Sequence, residues 1–202
     1  MSAVVHSPLR LGLTGGIGCG KSSAVAIFHE LGFAVIESDA VVRELWDKDA
    51  EVKQAAIGRW GTGITESGSK QIDRHKVAAI VFSDTKELDW LEGLLHPRVS
   101  KLWRGAVAAE PQKEWVVEIP LLFEKNLASD FNFTLCITSS PALQATRLAA
   151  RGLSPADIAA RQARQWPLQQ KIDRADFVAL NDGSLNFLRQ QIVQLAARLR
   201  GT

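Results

Sequence analysis

The stretch GLTGGIGCGKSS (residues 12–23) decides how the chain is read. Gly15 is followed after four residues by Gly20, Lys21 and Ser22, which is the full spacing of a mononucleotide phosphate loop. An apolar run, LRLGLT (9–14), precedes it and reads as a strand; Lys21 to Leu31 follows and reads as a helix closed by Gly32. The residue types suit the chemistry. Glycines bring successive backbone N–H groups close to phosphate oxygens, and a helix N-terminus adds partial positive charge. The candidate nucleotide ligands are therefore Gly15, Gly16, Ile17, Gly18, Cys19, Gly20, Lys21, Ser22 and Ser23. Lys21 would carry the point charge for the transferred phosphoryl group, and the Ser22 hydroxyl would ligate Mg²⁺.

Outward from the loop, short apolar runs alternate with longer stretches of helical period. FAVIE (33–37), WVVEI (115–119), FTLCIT (133–138) and FVAL (177–180) join LRLGLT as strands. The fold class this predicts is α/β: a three-layer phosphate-loop NTPase domain around a five-stranded, mostly parallel sheet. Ser140 before Pro141, and Ser154 before Pro155 with Asp157 behind it, mark two helix starts. Leu185, Leu188, Ile192, Leu195 and Leu199 put one apolar face on a last helix. Residues 47 to about 110 are mainly helical and far exceed one crossover, which predicts an insertion. Residues 143 to 174 hold six basic and two acidic side chains, either a basic cover for phosphates or a solvated helical hairpin.

Composition bounds the rest. At 202 residues, 46% hydrophobic and 23% charged, the chain is sized for one globular domain with appendages. A net charge of +2 does not point to nucleic acid. Cys19 lies in the loop and Cys136 in an apolar run, so a reduced, cytoplasmic setting is expected rather than a bridge. The opening MSAVVHSPLR has no leader pattern, and no stretch reaches about 18 uninterrupted apolar residues, so no membrane span is expected.

The loop identifies a phosphate donor and leaves the acceptor open. Asp39 follows the second strand, and in an open parallel sheet ligands bind beyond the carboxyl ends of the strands. A carboxylate there could orient an attacking hydroxyl and take its proton, or it could cap the helix that contains Val41, Val42 and Leu45.

Further segments carry a resemblance. GLTGGIGCGKSS, IESDAVVRELW (36–46), QIDRHKVAAIVF (71–82), LLHPRV (94–99), EIPLLFE (118–124), RLAARGLSPADIAARQARQ (147–165) and ADFVALNDGSL (175–185) resemble, in this order and spacing, the bacterial dephospho-coenzyme A kinases. The similarity runs from about residue 9 to 199. It implies ATP and Mg²⁺ as cofactors and dephospho-CoA as the small-molecule substrate, phosphorylated on its ribose 3′-hydroxyl. It further implies a core of about 9–46, 111–142 and 175–202, a helical acceptor-binding insertion of about 47–110, and a helical lid of about 143–174. By that resemblance Asp39 is the catalytic base, and Asp73, Arg74, His96 and Pro97 fall in acceptor-binding segments. Arg74 is either a charge for an acceptor phosphate or a surface ion pair, and His96 before Pro97 either touches substrate or ends a helix. Arg147, and after it Arg151, match the lid arginines that would neutralise the transferred phosphoryl group.

Two positions depart from the family pattern. Glu37, with Ser38 behind it, stands where the family has the first aspartate of an Asp-Ala-Asp segment, and Arg151 is followed directly by Gly152, one residue short. Glu118 is left as a supporting group. Another small-molecule kinase, for a nucleoside, nucleotide or sugar acid, would share the loop and lid; a nucleotide-binding regulator without transfer activity would share the loop alone.

Overall fold

The computed structural model describes residues 8–66, 69 and 71–201. Most of the opening segment read above for a leader, residues 1–7, lies outside them. The chain divides into two compact units, one made of the described residues up to Glu37 and from Val107 onward, the other of Ser38–Ala106.

The first unit is built on five strands, β1 Arg10–Gly15, β2 Ala34–Glu37, β3 Trp115–Glu118, β4 Phe133–Thr138 and β5 Phe177–Leu180. They form one sheet in the order β2-β3-β1-β4-β5, and every pairing is parallel. All five strands expected from sequence are present. On one face pack α1 Lys21–Glu30 and α9 Leu185–Arg200, burying Leu11, Leu13, Val116, Leu135 and Ile137 of the sheet against Ala24, Ile27, Phe28, Leu188 and Ile192. The helical period of α9 accounts for that face with one exception. Leu185, expected on it, is 57% exposed because it sits in the first turn, beyond the sheet. The opposite face is covered by α8 Leu168–Arg174 and by the segment after β3, whose Leu122 and Phe131 lie directly over Gly12.

Helices α6 Pro141–Ala150 and α7 Pro155–Ala163 lie between β4 and α8. Both start where the prolines predict. Ser154 and Asp157 close a reciprocal capping box, whereas the Ser140 side chain caps nothing and its N–H donates instead to Asp182 Oδ1 at 2.6 Å. At the β5 edge of the sheet, Gln191 of α9 both accepts from Leu180 N (2.9 Å) and donates to Leu180 O (2.8 Å).

The second unit is helical: α2 Ser38–Lys48, α3 Ala50–Trp60, α4 Arg74–Ser83 and most of α5 Thr85–Ala109, with an isolated bridge between Thr65 and Ile72. Asp49 and Asp73 cap α3 and α4 through their carboxylates. The expectation that a helix could end at His96 is corrected, since α5 runs through Pro97. Proline in a helix interior removes one N–H and crowds the carbonyls a turn earlier. The carbonyl that loses its donor is that of Gly93; one residue on, the Arg98 guanidinium donates to Leu94 O at 2.9 Å and adds a side-chain bond within the same turn.

Glu87 organises the exposed end of this unit. It accepts two bonds from Arg59 (2.6 and 2.9 Å) and one from Trp60 Nε1 (2.7 Å), while Trp60 meets Trp90 edge to face. The Arg59 guanidinium, and then the Trp60 N–H, hold the Glu87 carboxyl below its ordinary value of 4.5. A depressed carboxylate stabilises the fold above its unfolded pKa, and that contribution disappears as pH falls through the folded one. Glu87→Gln should therefore lower Tm at pH 7, with the gap to the native chain narrowing below about pH 4.5. Thermal melts followed by circular dichroism across that range check it.

Candidate active site

The phosphate loop leaves β1 at Gly15 and enters α1 at Lys21. Two of its glycines could be nothing else. Gly15 (φ 148°) would place a Cβ 2.3 Å from Ile137 O, and Gly20 (φ 90°) would place one 2.0 Å from Asn181 Nδ2. Among the described residues the N–H groups of Ile17, Gly18, Gly20, Lys21 and Ser22 donate to no protein acceptor. Successive free N–H groups at a helix N-terminus form a cradle for an anion.

The carbonyls of the loop are occupied instead. Gly16 O accepts from Cys19 N (3.3 Å), and Gly15 O and Gly16 O each lie 3.3 Å from Lys21 Nζ. Gly18 O accepts from Arg147 Nη1 (3.3 Å), Cys19 O from Asn181 Nδ2 (2.9 Å), and Gly20 O from Ser23 N and Ala24 N. Lys21 also lies 3.8 Å from Glu118 Oε1, both side chains being largely buried. Glu118 thus sits beside the loop lysine at the end of β3, in register with Glu37 on β2.

Arg147 is a brace in this arrangement. Besides Gly18 O it donates to Ser139 Oγ (3.1 Å) and Asn181 O (2.8 Å). Its helix is packed too, for Gln144 and Leu148 are buried and both lie against Gly18. Arg151, just past the C-terminal end of α6, is exposed, and its side chain has no hydrogen bond or ion pair among the described residues. Ser22 is also exposed and its hydroxyl has no such partner, a state that leaves it able to ligate a cation.

Asp39 is exposed in the first turn of α2 and, among the described residues, accepts no backbone N–H. The cap that its spacing allowed is therefore not formed. Ser38, not Asp39, is the first helical residue and is 8% exposed. Arg74 is the first residue of α4, exposed and without an ion pair among the described residues, while Asp73 before it caps the helix through His75 N and Lys76 N. His96 is half-buried on α5 and Pro97 beside it is exposed.

Burial pushes the Cys19 thiol up despite nearby Lys21, and pushes Cys136 up to about 12. Both are free thiols, as expected, and inert ones. Sequence reasoning missed Asn181, Ser139 and Asp182. The signal for Asn181 and Asp182 was a polar Asn-Asp-Gly run just past β5, and for Ser139 a serine just past β4.

A strand, a phosphate loop and a helix on the central strand of a parallel sheet define a nucleotide-binding protein of the P-loop class. The chain belongs to the dephospho-CoA kinase family, whose model matches residues 9–186. A dephospho-CoA kinase from Synechococcus sp. (strain CC9902) is 37% identical over 185 residues, covering 91% of this chain and 93% of that one. Among solved structures, TT1252 from Thermus thermophilus is similar with a TM-score of 0.78 and 31% identity, covering 96% of this chain and 99% of that one. Dephospho-CoA kinase from Campylobacter jejuni gives a TM-score of 0.67 and 27% identity over 94% and 96% of the two chains.

Asn181→Ala should leave Cys19 O without its donor and loosen the loop. Losing a buried bond of this kind costs about 1–3 kcal/mol. The expected result is a lower Tm together with faster reaction of Cys19 with an aromatic disulfide reagent, read by peptide mass. Cys136, on β4, serves as the internal control and should stay slow.

Proposed function

We propose that the chain transfers the terminal phosphoryl group of ATP to the ribose 3′-hydroxyl of dephospho-CoA, with the loop holding the donor and Asp39 serving as base. As a member of its family the chain is a phosphotransferase with an alcohol acceptor, acting in the last step of coenzyme A synthesis. The observation that carries the donor assignment is the run of free N–H groups in the loop, set among the carbonyls of Gly15, Gly16, Gly18, Cys19 and Gly20, each turned to another donor.

Gly15 to Ser23 bind the phosphates through those N–H groups. Lys21, now resting on Gly15 O and Gly16 O through weak 3.3 Å contacts, moves onto the transferred group as the oxygens arrive. Glu118, 3.8 Å from the ammonium, holds the lysine beside the loop. Ser22 would hold Mg²⁺, which when bound would supply positive charge against the phosphates. Asp39, two residues beyond β2 and free of a capping role, orients the 3′-hydroxyl and takes its proton late in a loose, in-line transfer. Arg74, His96 and Pro97 bind the acceptor, with Arg74 supplying charge for an acceptor phosphate.

The two arginines at the end of α6 divide their labour. Arg147, with three protein acceptors, keeps the loop open for phosphate. Arg151, exposed and unpartnered among the described residues, neutralises charge that spreads over the transferred oxygens. We assign the chain to the cytoplasm, where two free thiols remain reduced; among the described residues no helix is long and apolar enough to cross a membrane.

ADP release with MgATP, measured with and without dephospho-CoA and with the product identified by mass, tests the reading. CoA formed with dephospho-CoA and not with nucleosides, adenylates or sugar acids is expected; turnover with one of those alone would overturn the acceptor. Asp39→Asn keeps the shape and removes the base, so kcat should fall at least about 100-fold with ATP affinity nearly unchanged. Native turnover in that variant would remove Asp39 from the chemistry. Arg151→Ala should lower kcat with little change in Tm, whereas Arg147→Ala should lower both, as melts and steady-state rates on the same preparations will show.

A further inference from the structure

None of the steps above uses the most deeply buried charge in the first unit. Lys171 on α8 has no exposed surface, and its ammonium donates to Pro120 O (2.6 Å) and Glu124 Oε1 (2.8 Å). Desolvation pulls its pKa down, and the Glu124 carboxylate opposes that pull. Glu124, whose side chain is 9% exposed, uses the same Oε1 to accept from Trp166 N at 2.8 Å. Its other oxygen, Oε2, is buried and has no partner. Phe123 stacks on Trp166, and the Arg174 guanidinium lies 5.8 Å from the Trp166 ring centroid.

On the other side these groups lead back to the phosphate loop. Pro120 O accepts from Thr14 Oγ1 (3.2 Å) as well as from Lys171, and Thr14 is the residue before Gly15. Pro120 itself stands two residues after Glu118, the partner of Lys21. Arg147, fixed to Gly18 O, and Trp166, fixed to Glu124, bound the segment between them. Helix α7 buries none of its residues, and Gly152 before it takes a left-handed turn (φ 76°). A segment with little buried surface opens and closes at low free energy, and its fixed ends set where it goes.

We propose that Lys171 and Glu124 are a positioning pair for phosphoryl transfer: they fix the C-terminal root of a mobile cover, residues 151–165, to the strand ends that carry the phosphate loop. The cover bears Arg151, Arg161 and Arg164, and the bracket determines the register in which those charges meet the phosphates. One carboxylate oxygen, Oε1, joins Lys171 on α8 to Trp166 N at the cover root, so the two are tied at a single atom; among the described residues Oε2 has no partner. The proposal rests on the kinase reading.

Removing one partner strands a buried charge, whereas removing both in favour of apolar side chains of like volume is often neutral to stability. The test is therefore the double variant Lys171→Met with Glu124→Leu. Its Tm should lie near that of the native chain, yet kcat should fall at least about tenfold, and CoA formed per ADP released should drop as water replaces the acceptor under a misplaced cover. Native kcat and a native ratio in the folded double variant would overturn the proposal. If that variant does not fold, Glu124→Asp keeps the charge and withdraws the carboxylate by one methylene; an unchanged ratio there overturns it equally. Limited trypsin cleavage gives a readout independent of turnover. Cuts after Arg151, Arg161 and Arg164 should be faster in either variant and slowed less by MgATP. Should the native chain make no CoA at all, the kinase reading fails, while the cleavage pattern still decides whether the pair holds the cover.

Discussion

Among the described residues, five backbone N–H groups of one short loop are unpaired, while the carbonyls of Gly15, Gly16, Gly18, Cys19 and Gly20 are paired with other donors. A peptide unit cannot turn both of its dipole ends to an anion, so a loop that offers N–H groups to phosphate has to place its carbonyls against other donors. Here those donors come from dispersed parts of the chain: Lys21 at the start of α1, Arg147 on α6 and Asn181 just past β5. The sheet order serves this requirement, since β4 and β5 end beside β1 and deliver Ser139 and Asn181 to the same side of the loop. The anion cradle is therefore a property of the whole sheet end, and the glycines are only the part that shows.

That division explains what could be read in advance. The five strands and most helices were legible because their period and their proline and glycine punctuation are local, and the loop was legible because its spacing is. Ser154 and Asp157 announced their capping box three residues apart. Arg147 was legible as a basic residue of the right helix but not as a brace, because its three acceptors stand 8, 34 and 129 residues away along the chain. Asn181 was illegible for the same reason, its partner being Cys19. Lys171 looked like one more member of a basic, solvated stretch; only the sheet face against which α8 packs makes it a buried cation. His96 and Pro97 read as a helix end, yet α5 runs through them, because proline removes a single N–H and one missing bond does not end a 25-residue helix.

The Glu37 substitution also takes on a physical meaning. At the end of β2 it stands in register with Glu118, which is held next to Lys21. A side chain one methylene longer than aspartate reaches farther across the strand end, and the residue that keeps the shorter carboxylate, Asp39, is the one left exposed and without a cap to form. The departure that the resemblance implies falls on Glu37, one strand removed from the strand that carries the phosphate loop, and the proposed base, Asp39, is a separate residue two positions on.

One small contact has a consequence for the molecule among its neighbours. Gln191 lays its carboxamide against the outer side of β5, accepting from Leu180 N and donating to Leu180 O. A side-chain amide has the same donor and acceptor pair as a peptide group, so it counterfeits one residue of a sixth strand. An unfolded chain or a second copy that tried to pair along this border would find that rung already taken. With Val178 and Leu180 apolar and more than 40% exposed there, the glutamine acts as a full stop, ending the sheet where its chemistry would otherwise invite continuation.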